Sequence, residues 1–436
     1  NETIGLWALV LLGFNYSFSS YVTGGLETQL QATLFTGTFY FFCRIIRNGK
    51  LINYLIVGIL SAFITFNRPD GLLMVGIIYL SLLVNHVVHH KTDLLKKLLL
   101  TAMPGIILIT PWLIWKADFY GSLLPNTFNA KVNIEIDKVK ILSRGAAYVA
   151  SFFIIYFGLP TIILMIHSIT KKMTQFDHAK FTLPEIKPLL FVVGGYLLYY
   201  VYIGGDFMEY RFMIPILPLI MIGLSPYIAG LSKQALRLTT ATYLFSSILY
   251  MNLFTGYKYG LESIPLLRSH IHAPHEDWRG IGLTLNELFN DSDLTIAVSP
   301  AGAIPYFSKL YTIDMLGLND RNVALYGEPY RDTPGHFKMA SKNYLEQRGV
   351  NIIIGHPLMI HKKHMDEFRD RNYQSQNALR RLLPSLSKEE TPYEVAMLEV
   401  PVNDSYTLVT WYLNKHAAVE KAAEESKVRI VRIDYV

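Results

Sequence analysis

Two short polar strings stand between long apolar runs: Asn67-Arg68-Pro69-Asp70-Gly71 and Gly204-Gly205-Asp206-Phe207-Met208-Glu209-Tyr210-Arg211-Phe212. Each brings carboxylates and guanidiniums to the end of a hydrophobic segment. There a charge costs about 3 kcal/mol or more if it sits at mid-membrane. Such groups suit two tasks. A guanidinium offers a phosphate a fork of donors, and a carboxylate takes a proton from a hydroxyl. A tight turn by itself explains the Asn, Pro, Asp and Gly of the first string, but it has no use for Arg68. In the second string an Asp206–Arg211 ion pair is the plain structural reading, and it too places a buried pair at a membrane end.

Two further strings carry weaker signals. Gly24-Gly25-Leu26-Glu27-Thr28 offers Glu27 to a cavity, or is simply a glycine helix stop beside an interfacial acid. The segment from Tyr120 to Lys131 supplies an aromatic, an amide and a cation in Tyr120, Asn126 and Lys131. Long loops often carry function, although a surface loop with a snorkelling lysine reads the same way. His270, His272 and His275 do not fall on one helical face, so their spacing is a weak zinc signal. Ser299-Pro300-Ala301-Gly302-Ala303 lacks the spacing and the Lys-Ser/Thr of a phosphate loop.

The elements that hold these strings follow from composition. The chain has 436 residues, 51% hydrophobic and 17% charged, more apolar and less charged than a soluble protein. About nine runs approach the roughly 17–25 residues needed to cross a bilayer. They cover 4–22, 30–46, 51–66, 72–88, 98–115, 147–168, 189–203, 212–231 and 236–255. From residue 257 onward the pattern is that of a globular domain. Strands are expected at Leu294–Val298, Leu310–Met315, Asn351–Gly355, Val395–Val400, Tyr406–Trp411 and Val428–Ile433, with helices at 276–289 and 341–348. The expected fold is therefore a polytopic α-helical membrane domain over 1–256 followed by an α/β soluble domain over 257–436. With Cys43 the single cysteine, no disulfide can close within the chain.

The connections alternate in charge. Those after the second, fourth, sixth and eighth runs hold 12 Lys/Arg against 3 Asp/Glu, while the other four hold 7 of each. The basic set marks the cytoplasmic side. All four polar strings then share the outer face with the C-terminal domain. The membrane half carries a net charge of +8 and the rest of the chain −2, so the basic excess points to topology rather than nucleic-acid binding. Counting back from the basic links puts residue 1 at the cytoplasmic face, and an upstream span, outer loop and returning span would fit in front of it.

Taken in order, Gly25-Leu26-Glu27-Thr28, Arg68-Pro69-Asp70-Gly71, Tyr120-Gly121 through Pro125-Asn126-Thr127 to Ala130-Lys131, and Gly204-Gly205-Asp206-Phe207-Met208 with Arg211 form a set, with a fainter echo in Ile313-Asp314-Met315-Leu316-Gly317-Leu318. On this set the chain resembles the C-type (GT-C) integral membrane glycosyltransferases, and most nearly the terminal arabinofuranosyltransferases of mycobacterial cell-wall assembly and their bacterial relatives. The resemblance implies a hexosyl or pentosyl transfer from a polyprenyl-phosphate sugar. The acceptor would be a cell-envelope glycan, lipid or protein at the outer face of the cytoplasmic membrane, and the C-terminal domain would be periplasmic. It implies Arg68, Lys131 and Arg211 around the donor phosphate, with Tyr120 and Asn126 assisting. Glu27, Asp70, Asp206 and Glu209 would line the sugar and acceptor. The usual catalytic carboxylate is expected upstream of residue 1, leaving Asp206 and Asp70 as fallback bases. A divalent metal ion assists some relatives, but no ligand set is legible here. The alternative is a transporter or flippase of lipid-linked sugars. Against it stand the crowding of polar strings on one face, the lack of an internal repeat and the soluble domain on that same face. A second rival is a scaffold that binds glycan through 257–436.

Overall fold

Apolar runs that lack water as a hydrogen-bond partner must satisfy their backbone internally, and the N-terminal part of the chain does so as helices. The computed structural model describes residues 2–88, 93–130, 137–175, 186–229, 232–258, 261–290, 292–331, 335–373, 375–387 and 394–434. In chain order the first helices are α1 (Glu2–Gly13), α2 (Tyr16–Ser20), α3 (Thr28–Asn48), α4 (Leu51–Asn67), α5 (Leu72–Val88), α6 (Leu94–Tyr120), α7 (Asn126–Asn129), α8 (Lys138–Gln175), α9 (Ile186–Tyr202), α10 (Leu217–Ala229) and α11 (Lys233–Leu253).

Three stretches among the described residues are both long and apolar enough to cross a membrane: Pro69–Val88, Leu94–Tyr120 and Lys138–Gly158; Leu51–Asn67 is apolar but shorter. Nine runs are expected from the sequence, and several are interrupted for local reasons. The first run breaks at Asn15, which is fully buried, caps α2 by accepting from Phe18 N at 2.8 Å, and donates to Tyr243 Oη at 3.1 Å. The sixth breaks at Gly158, whose φ of 65° and ψ of 152° are not helical. The eighth opens with a 3₁₀ turn at Arg211–Met213 and a proline at 215, so its helix starts only at Leu217.

The chain divides into two compact units, Asn1–Leu123 with Asp137–Ile264, and Leu124–Ile136 with Pro265–Val436. The first has a core rich in tyrosine. Tyr54, Tyr156, Tyr196, Tyr200, Tyr210 and Tyr243 are each almost fully buried. A buried phenol needs a partner for its hydroxyl. Tyr156 Oη pairs with Ser17 Oγ at 2.6 Å, Tyr196 Oη donates to Asp70 O at 2.9 Å, and Tyr210 Oη donates to Ser151 Oγ at 3.1 Å.

The second unit contains the helices α12 (Ile264–His272, its first residue still in the first unit), α13 (Trp278–Phe289), α14 (Ala303–Ser308), α15 (Arg321–Tyr326), α16 (Lys342–Gln347), α17 (Met365–Asn372), α18 (Asn377–Leu382) and α19 (Ala417–Glu424). Its strands follow β1 (Tyr257–Lys258) and β2 (Leu261–Glu262), a short antiparallel pair of the first unit. They are β3 (Thr295–Val298), β4 (Tyr311–Asp314), β5 (Glu328–Pro329), β6 (Lys338–Met339), β7 (Ile352–His361), β8 (Glu394–Pro401), β9 (Tyr406–Tyr412) and β10 (Arg429–Asp434). Six of them make one sheet in the order β10-β8-β9-β7-β3-β4, parallel at β3–β4 and β3–β7 and antiparallel elsewhere. Period-two alternation loads both faces. Ala297, Ile313, Ile353, Met397 and Val409 serve one core, and Ile296, Val298, Ile352, Leu398 and Leu408 the other. Each expected strand falls on one of these six. β7 runs on beyond Gly355, with a register shift between Ile353 and Leu358.

Candidate functional site

Helix α4 ends at Asn67 because Pro69 drives the residue before it out of the helical region. Arg68 is extended, with φ −152° and ψ 132°, and Pro69–Gly71 form a single 3₁₀ turn. The turn folds Asp70 back onto Arg68. Arg68 Nε donates to Asp70 Oδ1 at 2.9 Å and Nη2 to Oδ2 at 3.1 Å, and the third edge, Nη1, donates to Glu27 Oε1 at 2.7 Å. Asn67 completes the junction by donating from Nδ2 to Gln31 Oε1 at 2.6 Å and to Glu27 O at 3.2 Å. The Gly24–Thr28 and Asn67–Gly71 strings therefore form one ion cluster.

The Gly204–Phe212 string builds a second ion pair. Gly204 and Gly205 adopt φ of +82° and +74°. A Cβ on Gly205 would stand 2.7 Å from Tyr148 Cγ, so strain and space both require glycine there. Asp206 then accepts from Arg211 twice, from Nε at 2.7 Å and from Nη2 at 3.0 Å, and also from Phe207 N at 2.9 Å. Three donors occupy this carboxylate, and its residue is 3% exposed.

The clusters meet at Phe212. The guanidinium carbons of Arg68 and Arg211 each lie 5.2 Å from the centroid of its ring, so the two cations are no farther apart than twice that. Tyr200 stacks on the same ring at 5.6 Å, and Tyr148 Oη accepts from Phe212 N at 3.2 Å. In side-chain exposure the acids rank as Glu27 at 37%, Asp70 at 17% and Asp206 at 2%. Glu27, held through one oxygen, is the most open.

Glu209 lies in the same string. It is fully buried. Oε1 accepts from Ser17 Oγ at 2.7 Å and Oε2 from Ile264 N at 2.9 Å. Burial pushes its carboxyl up to about 7, against the pull of the Ile264 and Ser17 donors. Tyr21 Oη donates to Glu209 O at 2.8 Å, and Glu209 N donates to Glu262 O at 3.0 Å. Glu209, expected as a substrate contact, forms a latch that joins α2, the 204–212 turn, β2 and the first residue of α12.

Tyr120, 56% exposed at the end of α6, packs against Trp115 and Phe119. Asn126 begins α7 in the second unit. Lys131, with Val132, Ile134 and Ile136 of the expected amphipathic segment, lies outside the described residues. His270 stacks on Trp278 with 4.5 Å between centroids, its Nδ1 3.4 Å from Glu276 Oε2. Among the described residues no three or more His, Cys, Asp or Glu are gathered as metal ligands.

Sequence reasoning missed Phe212 as the meeting point and Tyr148, Tyr196 and Tyr200 as its frame. The signal was present. Tyr196 and Tyr200 are four apart on α9, and so on one helical face just before the Gly204 turn.

The sequence model of the Alg9-like mannosyltransferase family matches residues 1–279. A model described as a domain of unknown function, DUF8728, matches residues 269–421. No curated protein matches the chain. The first match takes in the whole ion cluster. It reaches the C-type superfamily and its mannosyl branch; the narrower likeness to arabinofuranosyltransferases is not carried by it.

Proposed function

The chain belongs to the Alg9-like mannosyltransferase family, and from that premise we propose that it transfers a hexose from a polyprenyl-phosphate donor to a cell-envelope acceptor at the outer face of a membrane, with the chemistry held at the Arg68–Phe212–Arg211 cluster. Family membership makes it a membrane glycosyltransferase that uses a lipid-linked sugar. The donor's carrier, the acceptor and the side of the membrane are our reading. The observation that carries it is the meeting of two guanidiniums at one aromatic ring between hydrophobic helices. As the glycosyl bond breaks, negative charge grows on the leaving phosphate, and fixed cations lower that barrier.

Asp70 and Asp206 hold the two arginines in place, each through a bidentate pair. With its lone pairs engaged, Asp206 is poorly disposed to serve as a base. Glu27 is held by a single bond to Arg68 Nη1 and is more exposed. An incoming phosphate can take over that Nη1 edge, which releases Glu27 to receive the acceptor hydroxyl's proton. Every group in this proposal lies in the first unit.

The test is transfer by the purified full chain from synthetic polyprenyl-phosphate mannose, with the glucose and arabinofuranose analogues as competitors. Arg211→Ala should abolish transfer while the protein still inserts. Retained transfer would remove Arg211 from the site. Movement of the intact donor across vesicles without transfer would replace the reading with that of a transporter.

A further inference from the structure

The second unit holds a cavity of about 580 Å³ along the edge strand β4, beside α15 and α16. That is within the ~300–1,000 Å³ usual for ligand sites. The cavity is built on the string Ile313–Asp320, whose loop is fixed by its own first acid. Asp314 is buried, and its carboxylate accepts from Leu316 N at 2.9 Å and Asn319 N at 2.8 Å. Gly317 has φ +76°, and a Cβ there would come 2.6 Å from Ala324 N, so the loop is pressed against α15.

One wall is a pre-set hydrogen-bond chain. Arg348 Nη2 donates to Tyr311 Oη at 2.8 Å and Nη1 to Tyr344 Oη at 2.6 Å, and Tyr344 Oη donates to Asp320 Oδ2 at 2.8 Å. Asp320 in turn caps α15 by accepting from Val323 N at 3.0 Å. At the rim two phenol rings are open, Tyr311 at 62% and Tyr326 at 76% exposed, and Asn322 is exposed beside them.

We propose that this cavity binds a neutral oligosaccharide. The polar lining does not suit a lipid chain. Its two carboxylates, Asp314 and Asp320, balance its two guanidiniums, Arg321 and Arg348, which leaves no excess charge for an anion. What remains is a set of amide, phenol, carboxylate and guanidinium groups that can both give and take hydrogen bonds, as sugar hydroxyls require. Open tyrosine rings add a flat face for the C–H side of a pyranose. Because the wall is already ordered, little conformational entropy is lost on binding. The inference deepens the proposed function by giving the acceptor a class, an uncharged glycan.

The experiment measures binding to the full chain in nanodiscs, with no donor present. The probes are α-mannotriose, maltotriose and cellotriose, with inorganic phosphate for contrast. At least one trisaccharide should bind, Tyr326→Ala and Asn322→Ala should each weaken it tenfold or more, and Tyr326→Phe should retain it. No trisaccharide binding to the wild type, unchanged binding by both alanine variants, or displacement of the trisaccharide by phosphate would each overturn the inference. Binding is read without transfer. A chain that holds the trisaccharide but turns over no donor keeps this site and loses the transferase reading.

Discussion

Arg68 and Arg211 converge on one phenyl ring, each guanidinium carbon 5.2 Å from the centroid of Phe212. Each cation is also clamped by its own aspartate. The ring therefore separates two neutralised pairs instead of two bare charges, which is how like charges can share a poorly solvated turn. Replacing Phe212 by Leu keeps the bulk and removes the aromatic face. A cation–π contact is worth about 0.5–2 kcal/mol. The donor KM should rise about tenfold for F212L while kcat holds. An unchanged KM would mean that the ring only packs against Tyr200.

The three acids of the cluster should separate kinetically. Glu27→Gln removes the open carboxylate, and kcat should fall about 10²–10⁴-fold, the usual loss on removing a general base. Its donor KM should hold or drop, since Arg68 Nη1 is released. Asp70→Asn and Asp206→Asn loosen the arginines and should raise donor KM more than they lower kcat. The same kcat-dominated loss in Asp206→Asn and none in Glu27→Gln would move the base to Asp206. Steady-state kinetics with donor and acceptor varied separately decides it.

Most of the C-terminal sheet is legible in the sequence, because its strands are short apolar runs bounded by turn residues, the pattern of strands buried on both faces. The membrane half is less so. Hydropathy reports apolar length, not the interruptions made by Asn15 and Gly158, where one polar side chain or one backbone angle splits a run. The charged strings announce themselves because hydrocarbon tolerates few charges, so Glu27, Arg68, Asp70, Asp206 and Arg211 stand out. Their pairing does not. That Phe212 joins two strings, or that Glu209 points to Ser17 and Ile264 and not to its neighbours, depends on contacts between residues far apart in the chain.

Glu209 gives the fold a pH dependence whose sign is fixed. Its carboxyl stands at about 7 when folded, above its ordinary 4.5. The folded state thus binds the proton more tightly. The stabilisation is complete below about 4.5 and is lost as pH rises through about 7. At about 1.36 kcal/mol per unit the loss amounts to roughly 3 kcal/mol by pH 8. Glu209→Gln can turn its amide NH₂ to Ser17 Oγ and keep its carbonyl for Ile264 N. The wild-type thermal midpoint in detergent should fall between pH 5 and pH 8, and that of E209Q should stay level. Parallel pH curves for the two proteins would rule the latch out as their source.

Gly205→Ala should uncouple the second ion pair without touching a charge. Strain at φ +74° and a Cβ 2.7 Å from Tyr148 Cγ together cost about 1–3 kcal/mol. If the turn shifts to relieve them, Asp206 and Arg211 move off Phe212. Donor KM should rise in G205A, read by steady-state kinetics. Equal kinetics in wild type and G205A would show that the turn has slack.

Lys338 ties α7 to the C-terminal part of the second unit. It is 4% exposed, and its Nζ donates to Ala324 O at 2.6 Å, Asn129 O at 3.1 Å and Leu325 O at 3.4 Å. One ammonium thus closes the C-terminal end of α15 and the end of α7, two helices too short to hold themselves together. Lys338→Met fills a similar volume and supplies no donor, leaving these carbonyls unpaired at a cost of about 1–3 kcal/mol. The expected outcome is faster hydrogen exchange in peptides covering 124–130 and 321–327, with the β7–β9 pairing as protected as before. Because α15 also lines the 580 Å³ cavity, the same variant should weaken trisaccharide binding. Faster exchange with unchanged binding would show that the cavity wall stands without α7. Unchanged exchange would mean that hydrophobic packing of α7 on α15, and not the ammonium, anchors the segment.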